Sequence, residues 1–418
     1  MKTPNKLTNS NFYGRSLTIL LPLFLLTACG GSDGDVSDAS GNNNGGISDG
    51  NSNNDGGGSN PPPAEPNLEV GQFKDSNTTG LSYVSGSQSG VSDENGKFTY
   101  EAGNTVTFSV GGVELGTSTG KSVVTPLDLE LGGTSGSLKV QNITRFLMML
   151  DEDGNPENGI SISPSIQESA QSWLPVDFDS TDLPTELTAI ISDAKAADGG
   201  DHILPTAEAA KSHLESTLRC VYAGAYKGNF SGGDSGYYGV LVDADTGFVE
   251  GFAYSTQFNQ SLALIGTRAF SYDQNRTFVS GSTSTGATFD GRFDSTDNLS
   301  GSWQSPLYSG SFLGSRIGGD KDAVYRLTGS YTGINDGGLF SFDVDGSDKV
   351  TGVAYSVFTD ELFDLTGTLS DGNLTATASN GTEITGTLGS DNQITAGTWN
   401  NPDTGQSGEF SGNGCELN

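Results

Sequence analysis

The stretch GFAYS at residues 251–255 returns as GVAYS at residues 352–356, which is 101 positions further along the chain. Two more pairs follow in the same order, namely GNFSG at 228–232 with GSYTG at 329–333, and GSFLG at 310–314 with GEFSG at 408–412. The small changes of offset between the pairs fit deletions in loops. The C-terminal half of the chain is therefore predicted to be a tandem duplication, with copies at 220–322 and 323–418.

Each copy contains about eight strand-like runs separated by Gly, Asn and Asp turn signals. Links this short favour up-and-down antiparallel pairing, and closure of eight strands into a barrel removes both edges. Such a barrel is either filled by side chains or holds one small ligand. The fold class is thus predicted to be mainly β, with two tandem eight-stranded up-and-down antiparallel barrels and a smaller α+β module.

The second copy is predicted to contain a β-bulge near Ala396. Leu299 precedes Trp303 by four residues, whereas Ile394 precedes the matching Trp399 by five. Because side chains alternate between the two faces of a strand, the extra residue would turn one of these side chains out of the core unless a bulge absorbs it.

The preceding segment, residues 68–219, is predicted to be an α+β module. Alternating apolar and polar residues between about 71 and 129 indicate short strands with one buried face. Helical patterns follow at 138–150, 164–173, 184–196 and 205–218, and Ser163 before Pro164 is a typical helix start.

The N-terminus has the organisation of an export signal. Basic residues precede a short apolar run that ends in LTAC at residues 26–29, and the run is too short to span a bilayer. The last four residues resemble the lipobox of bacterial lipoproteins. That resemblance implies removal of a signal peptide at 1–28 and lipidation of Cys29, with Gly30 favouring the outer membrane. Residues 29–67 are acidic and rich in Gly, Asn, Ser and Pro, so we expect a disordered tether.

The net charge of the chain argues against two classes of binding partner, and its cysteines indicate the compartment. With 51 Asp and Glu against 19 Lys and Arg, the formal net charge is −32, which disfavours binding to nucleic acid and electrostatic docking on anionic membranes. We therefore expect the protein to be attached to the membrane by the lipid on Cys29. Cys220 and Cys415 flank the duplicated region and are predicted to form a disulfide in an oxidising compartment, the alternative being two separate buried thiols.

The module resembles a domain of exported lipoproteins and large surface adhesins of marine gammaproteobacteria. The likeness rests on GLSY at 80–83, SGVS at 89–92, GKFTY at 96–100, GNTVTF at 103–108, LG at 115–116, VTPLDL at 124–129 and LDEDGN at 150–155. The barrel copies are similar in style to those of transferrin-binding-protein-B-type surface lipoproteins, through their glycine-rich strands and the closing GSFLG and GEFSG. These resemblances imply a Gram-negative outer-membrane lipoprotein on display at the surface, and they supply no catalytic residues.

Several side chains are candidates for binding. Asp151, Asp153, Asn155 and Glu157 follow a predicted helix and can offer oxygen ligands to calcium, the one cofactor considered, or form a solvated Asx-turn loop. Trp303, Trp399, Tyr254 and Tyr355 recur at equivalent positions of the two copies, where they either contact a sugar or small ligand or fill a core.

We therefore expect a non-catalytic, membrane-anchored surface lipoprotein that acts in adhesion or partner binding. Whether it faces the periplasm or the exterior stays open. The alternative is a small-ligand carrier with a hollow, lipocalin-like barrel, which a cavity containing Trp303 or Trp399 would favour. The third hypothesis is that the protein is a hydrolase. A hydrolase would require His202 or His213 to lie beside a carboxylate and a hydroxyl in one cleft.

Overall fold

The computed structural model describes residues 66–269, 272–274, 277–293, 298–319 and 322–417. These residues belong to one compact unit that spans Ala64–Asn418. The signal segment at 1–28, the lipidation site Cys29 and nearly all of the tether lie outside the described residues. No helix within the described ranges is long and apolar enough to cross a membrane.

The α+β module contains a four-stranded sheet in the order β4-β3-β6-β7, a three-stranded sheet in the order β5-β1-β8 and a short parallel pair of β2 with β9. Its strands are β1 Leu68–Phe73, β2 Thr78–Thr79, β3 Ser82–Ser85, β4 Gln88–Val91, β5 Lys97–Glu101, β6 Thr105–Val110, β7 Val113–Thr119, β8 Val123–Val124 and β9 Ile160–Ser161. Alternate residues of β5 and β6 are buried, as the sequence pattern predicts. Phe98 and Phe108 from these strands meet edge to face, with ring centroids 5.0 Å apart.

Five α-helices belong to the module, namely α1 Leu138–Met149, α2 Pro164–Ala170, α3 Leu183–Glu186, α4 Thr188–Asp198 and α5 Ala207–Tyr222, together with two short 3-10 helices at Pro126–Leu129 and Pro156–Asn158. The Ser163 hydroxyl accepts a hydrogen bond from the backbone N–H of Ile166, so it caps α2 as expected. The single helix predicted at 184–196 is wrong in one respect. It is divided into α3 and α4 at Leu187, whose φ of −91° and ψ of 0° lie outside the helical region.

Both copies of the duplication are closed, eight-stranded antiparallel barrels, as predicted. The first barrel consists of β10 Gly224–Gly232, β11 Gly236–Val242, β12 Phe248–Ser255, β13 Gln260–Ala269, β14 Thr277–Thr283, β15 Thr288–Phe293, β16 Asn298–Gln304 and β17 Ser309–Arg316. The second consists of β18 Ala323–Gly333, β19 Gly337–Asp345, β20 Lys349–Ser356, β21 Glu361–Ser370, β22 Asn373–Ala378, β23 Glu383–Leu388, β24 Ile394–Asn401 and β25 Gln406–Glu416. In each barrel the last strand pairs with the first.

The predicted bulge is present in β24. Thr398 pairs with Thr385 and Thr395 with Thr387, so Ala396 and Gly397 lie opposite a single residue, Gly386. Ala396 has a φ of +52°. Ile394 and Trp399 consequently both face the barrel core, where they are 5% and 7% exposed.

A disulfide joins the module to the second barrel. Cys220 in α5 is bonded to Cys415 in β25, with an S–S distance of 2.06 Å and a Cα–Cα distance of 5.7 Å, which confirms the predicted pairing. Two arginines of the barrels meet the C-terminal end of α5. Arg316 donates to the carbonyl of Val221 at 2.6 Å, and Arg326 donates to the same carbonyl at 3.2 Å.

Candidate functional site

The first barrel is hollow. Its interior contains a cavity of about 200 Å³. The wall is mostly aromatic and aliphatic, and it includes Phe230, Val240, Leu262, Phe289, Trp303 and Phe312. Apolar cavities of about 150 Å³ in proteins bind molecules as large as benzene, so this volume is sufficient for a small ligand.

The second barrel is nearly filled. Its interior leaves about 50 Å³, between Tyr331, Phe342, Phe363, Trp399 and Phe410. The rings of Phe340 and Phe342 stack with centroids 4.6 Å apart, and Phe410 meets Phe340 edge to face at 5.5 Å. Two barrels of one topology therefore differ in the space that their side chains leave.

Strand register identifies the residues behind this difference. Val240 pairs with Gly251 in the first barrel, and Phe342 pairs with Gly352 at the same place in the second. On the next strand of each barrel, Leu262 faces Ala253 and Phe363 faces Ala354.

Two phenylalanine rings thus occupy space that valine and leucine leave open in the first barrel. At one position the difference is reversed, since Ile384 of the second barrel stands where the first barrel has the larger Phe289.

One side of the cavity reaches the surface. Phe258 and Tyr308 both line the cavity, yet they are 48% and 41% exposed. Their ring centroids are 5.7 Å apart. Phe258 lies in the loop between β12 and β13, and Tyr308 in the loop between β16 and β17, so these two loops border the entrance.

Polar side chains also line the cavity, namely Asp234, Tyr238, Ser255, Gln260, Thr283, Thr285, Thr288, Ser305 and Tyr308. The Asp234 carboxylate accepts hydrogen bonds from the Ser255 hydroxyl and from the backbone N–H of Ser235, both at 2.7 Å. The second barrel repeats this arrangement with Asp336 and Ser356. Tyr238 also lines the cavity, and burial raises the pKa of its phenol far above the ordinary value. No Lys, Arg or His belongs to the described lining.

The structure brings one of the two predicted tryptophans to a ligand-sized cavity. Trp303 lines the hollow barrel, and its indole N–H donates to the Ser231 carbonyl at 3.2 Å. Trp399 makes the equivalent bond to Thr332 at 3.1 Å and packs edge to face against Tyr331, as Trp303 does against Phe230, but it lies in the nearly filled barrel. The indole ring of Trp303 is thereby fixed as part of the wall.

Tyr254 and Tyr355, the other two ligand candidates, are on the outside of their barrels. Each follows an alanine that points inward, so alternation directs the tyrosine outward. Tyr254 stacks on Tyr237 at 5.2 Å. Tyr355 is completely buried, stacks on Phe252 of the other barrel at 5.7 Å and donates to Asp360 at 2.6 Å. Tyr355 therefore packs the two barrels together.

The four calcium candidates form a loop that is bonded to itself and to its neighbours. Asp151 is buried and accepts from the backbone N–H of Ser161 at 2.9 Å, and burial raises its pKa to about 6. Asp153 accepts from the backbone N–H of Asn155, a typical Asx turn, and Glu157 contacts the His213 ring at 3.1 Å.

Within the described ranges, no three His, Cys, Asp or Glu side chains are grouped closely enough to hold a metal ion. Calcium binding by this loop stays a prediction.

Both histidines are buried and hydrogen-bonded. The His202 ring contacts the Met149 carbonyl at 2.9 Å and Asp198 at 2.7 Å. The His213 ring lies 3.1 Å from Glu157 and 3.4 Å from the Ser76 hydroxyl, so a hydroxyl, an imidazole and a carboxylate do come together. Ser76 is 3% exposed, and it lines neither of the two barrel cavities.

Sequence reasoning missed Tyr238, Val240 and Leu262. A comparison of the copies strand by strand, with the turn lengths aligned, shows the signal. Gly236 and Gly338 each pair with the serine that ends the next strand. When the two copies are aligned on these glycines, Tyr238 is equivalent to Phe340 and Val240 is equivalent to Phe342.

Comparison with known proteins gives no family. No protein-family model matches the chain, and no curated protein matches it. Transferrin binding protein B, isotype 1, from serogroup B Neisseria meningitidis is similar at 13% identity and a TM-score of 0.17, over 43% of this chain and 50% of that one. The chain thus spans half the length of that structure.

Two further structures are similar. Kievitone hydratase from Nectria haematococca matches at 9% identity and a TM-score of 0.19, over 46% of this chain and 89% of its own. A protein of unknown function from Nostoc punctiforme matches at 7% identity and a TM-score of 0.16, over 47% and 98%. Likenesses at these TM-scores support neither a fold assignment nor a function, and the description of the barrels depends on the strand pairing above.

Proposed function

We propose that the first barrel binds one small apolar ligand and that the protein is a non-catalytic binding protein of the cell envelope. The observation that supports this function is the cavity of about 200 Å³ with Trp303 in its wall, beside an equivalent barrel that leaves about 50 Å³. A cavity lowers the stability of a protein by roughly 24 cal/mol per Å³ in large-to-small substitutions. A hollow copy next to a filled one is therefore expected where the space has a use.

The test is to fill the first barrel with the residues of the second. Val240→Phe with Leu262→Phe copies Phe342 and Phe363. We expect the double variant to keep the fold and to lose at least about tenfold in affinity for α-methylstyrene, an apolar probe, in isothermal titration calorimetry, since the rings occupy the ligand volume. Leu313→Phe is the matched control, because Leu313 is 64% exposed on the outer face of the same barrel. Unchanged affinity in the double variant would contradict the proposal.

The location is part of the same proposal. The lipobox-like LTAC at 26–29 supports lipidation of Cys29 and anchoring in the outer membrane. Labelled palmitate should be incorporated into the wild type and not into Cys29→Ser, and protease treatment of intact cells would report the face on which the protein is displayed. A soluble, unlabelled wild-type protein would contradict the anchor.

Adhesion or binding of a protein partner is the second candidate. Apolar side chains at equivalent ends of the two barrels favour it, since Leu307 is 83% and Ile334 is 94% exposed. Cells that lack the protein should adhere less to a surface, and Leu307→Ser with Ile334→Ser should fail to restore adherence. Full restoration by that variant would contradict this second function.

A further inference from the structure

The cavity of the first barrel is polar at its entrance and apolar further inside. In an up-and-down barrel the links β10–β11, β12–β13, β14–β15 and β16–β17 lie at one end, and this is the end with the entrance. Polar lining residues belong to these links or to the strand ends beside them, namely Asp234, Ser255, Gln260, Thr283, Thr288 and Ser305. Val240, Leu264 and Leu299 line the cavity from positions further along their strands. The cavity therefore fits a ligand with a polar head and an apolar body.

Asp234 is the charged side chain at the polar end, and it is 8% exposed. Its Oδ1 atom accepts hydrogen bonds from the backbone N–H of Ser235 and from the Ser255 hydroxyl, both at 2.7 Å. No residue that the structure describes donates to its Oδ2 atom. A largely buried carboxylate has lost most of its contact with water, so a further donor from inside the barrel would stabilise it.

The second barrel supplies such a donor to the equivalent carboxylate. Asp336 accepts from the backbone N–H of Gly337 and from the Ser356 hydroxyl, both at 2.7 Å, as Asp234 does from its own neighbours. In addition, the hydroxyl of Tyr331, a residue of the inner wall, lies 3.4 Å from the same carboxylate oxygen. A polar group inside the barrel can therefore reach a carboxylate at this position.

The first barrel lacks this third donor. Phe230 stands where the second barrel has Tyr331, since each pairs with a phenylalanine of the last strand of its barrel. Both rings pack edge to face against the equivalent tryptophan, with centroids 6.0 Å apart. The hydroxyl is thus absent from the barrel that leaves about 200 Å³ and present in the barrel that leaves about 50 Å³. A ligand in the first barrel has room to place its own donor beside Asp234.

We propose that the ligand of the first barrel is a small amine with an aromatic or branched hydrocarbon body, and that its protonated nitrogen donates to the Asp234 carboxylate. This inference rests on the proposed ligand-binding function of the first barrel. A protonated amine carries the charge opposite to Asp234, and hydrogen bonds between charged groups are stronger than neutral ones. The described lining contains no Lys, Arg or His, and the net charge of −32 attracts cations and repels anions.

Two probes of nearly equal shape test the proposal. Benzylamine has an ammonium group where ethylbenzene has a methyl group. Isothermal titration calorimetry of both probes with wild type and Asp234→Asn separates the contact with the amine from burial of the ring. Asn keeps an oxygen that can accept from Ser235 and Ser255. Asp336→Asn, the same change in the second barrel, is the matched control and should leave the binding of both probes unchanged.

Asp234→Asn should weaken benzylamine binding by at least about tenfold, the range of a hydrogen bond to a charged group, and should leave ethylbenzene binding unchanged. Phe230→Tyr is a second variant that copies Tyr331 and keeps the carboxylate. Its hydroxyl should occupy Asp234 as Tyr331 occupies Asp336, and it should weaken benzylamine binding by about threefold or more while ethylbenzene binding is retained.

The outcomes separate this inference from the function on which it rests. Equal effects of Asp234→Asn on both probes, or no effect on benzylamine, would overturn the contact with the amine and leave ligand binding intact. Binding of ethylbenzene but not of benzylamine to the wild type would do the same. Failure of both probes to bind the wild type would instead overturn the binding function itself.

Discussion

Asp75 is completely buried in the module, and neither of its carboxylate oxygens has a hydrogen-bond donor among the described residues. The nearest charged partner is the His213 ring, 3.7 Å away. Burial raises the pKa of Asp75 to about 7, although the charge of His213 opposes the rise. Burial lowers the pKa of His213, but the hydrogen bond to Glu157 and the charge of Asp75 outweigh it and raise the pKa overall.

This buried acid makes stability depend on pH. An unfolded Asp loses its proton near pH 3.8, whereas folded Asp75 keeps it to about pH 7, so the folded state binds more protons between these values. The free energy of unfolding should therefore fall as the pH rises from about 4 to about 7, by up to about 1.4 kcal/mol per pH unit. His213, whose pKa is raised, acts in the same direction.

Asp75→Asn should remove much of this slope in urea denaturation curves measured across that range. Asp193→Asn, an exposed site on α4, is the control and should follow the wild type. Parallel curves for the wild type and Asp75→Asn would show that the carboxyl does not titrate in this way.

At the scale of elements, the bulge in β24 shows what a sequence can predict. Counting residues between apolar positions was sufficient to place it at Ala396, because alternation of side chains is a strict rule. The burial of Asp343 was not predictable in this way. Asp343 points away from the barrel interior, yet it is 2% exposed because Arg326 bonds it at 2.7 Å and continues to the end of α5. That contact depends on tertiary packing of elements remote in sequence.

The bulge also gives a simple test. A non-glycine residue at the positive φ of Ala396 is strained by about 1 kcal/mol relative to glycine. Ala396→Gly should therefore raise the free energy of unfolding by up to about 1 kcal/mol in urea titrations. Ala376→Gly, in the regular strand β22, should lower it instead. A destabilised Ala396→Gly would argue against the bulge geometry.

At the scale of the whole molecule, the two closed barrels and the disulfide followed from the repeat, the turn spacing and the cysteine count. The difference in free volume between the first and the second barrel could not be predicted from these features. The volume of a cavity depends on the sizes of all the side chains that point into the barrel. Val240 of the first barrel and Phe342 of the second can be recognised as equivalent positions only when the strand register is known. The sequence suggested Trp303 as a ligand contact without showing which copy had room for a ligand.

The disulfide closes a loop of 195 residues that contains most of both barrels. Chain entropy predicts a contribution of about 5 kcal/mol for a loop of this length, less any native-state strain. Cys220→Ser with Cys415→Ser should lower the free energy of unfolding by about 2 to 5 kcal/mol in urea denaturation. Reduction of the wild type should reproduce the loss, while the reduced double variant should show no further change. Equal stability with and without the bond would exclude a stabilising contribution.

Strand β25 and the residue that follows it make three connections within the molecule. It closes the second barrel against β18, it contains Cys415, and Leu417 just beyond it accepts a hydrogen bond from buried Lys74 of the module at 2.5 Å. A chain that ends before β25 can form none of these three connections, so its second barrel stays open and both the disulfide and the Lys74 hydrogen bond are missing.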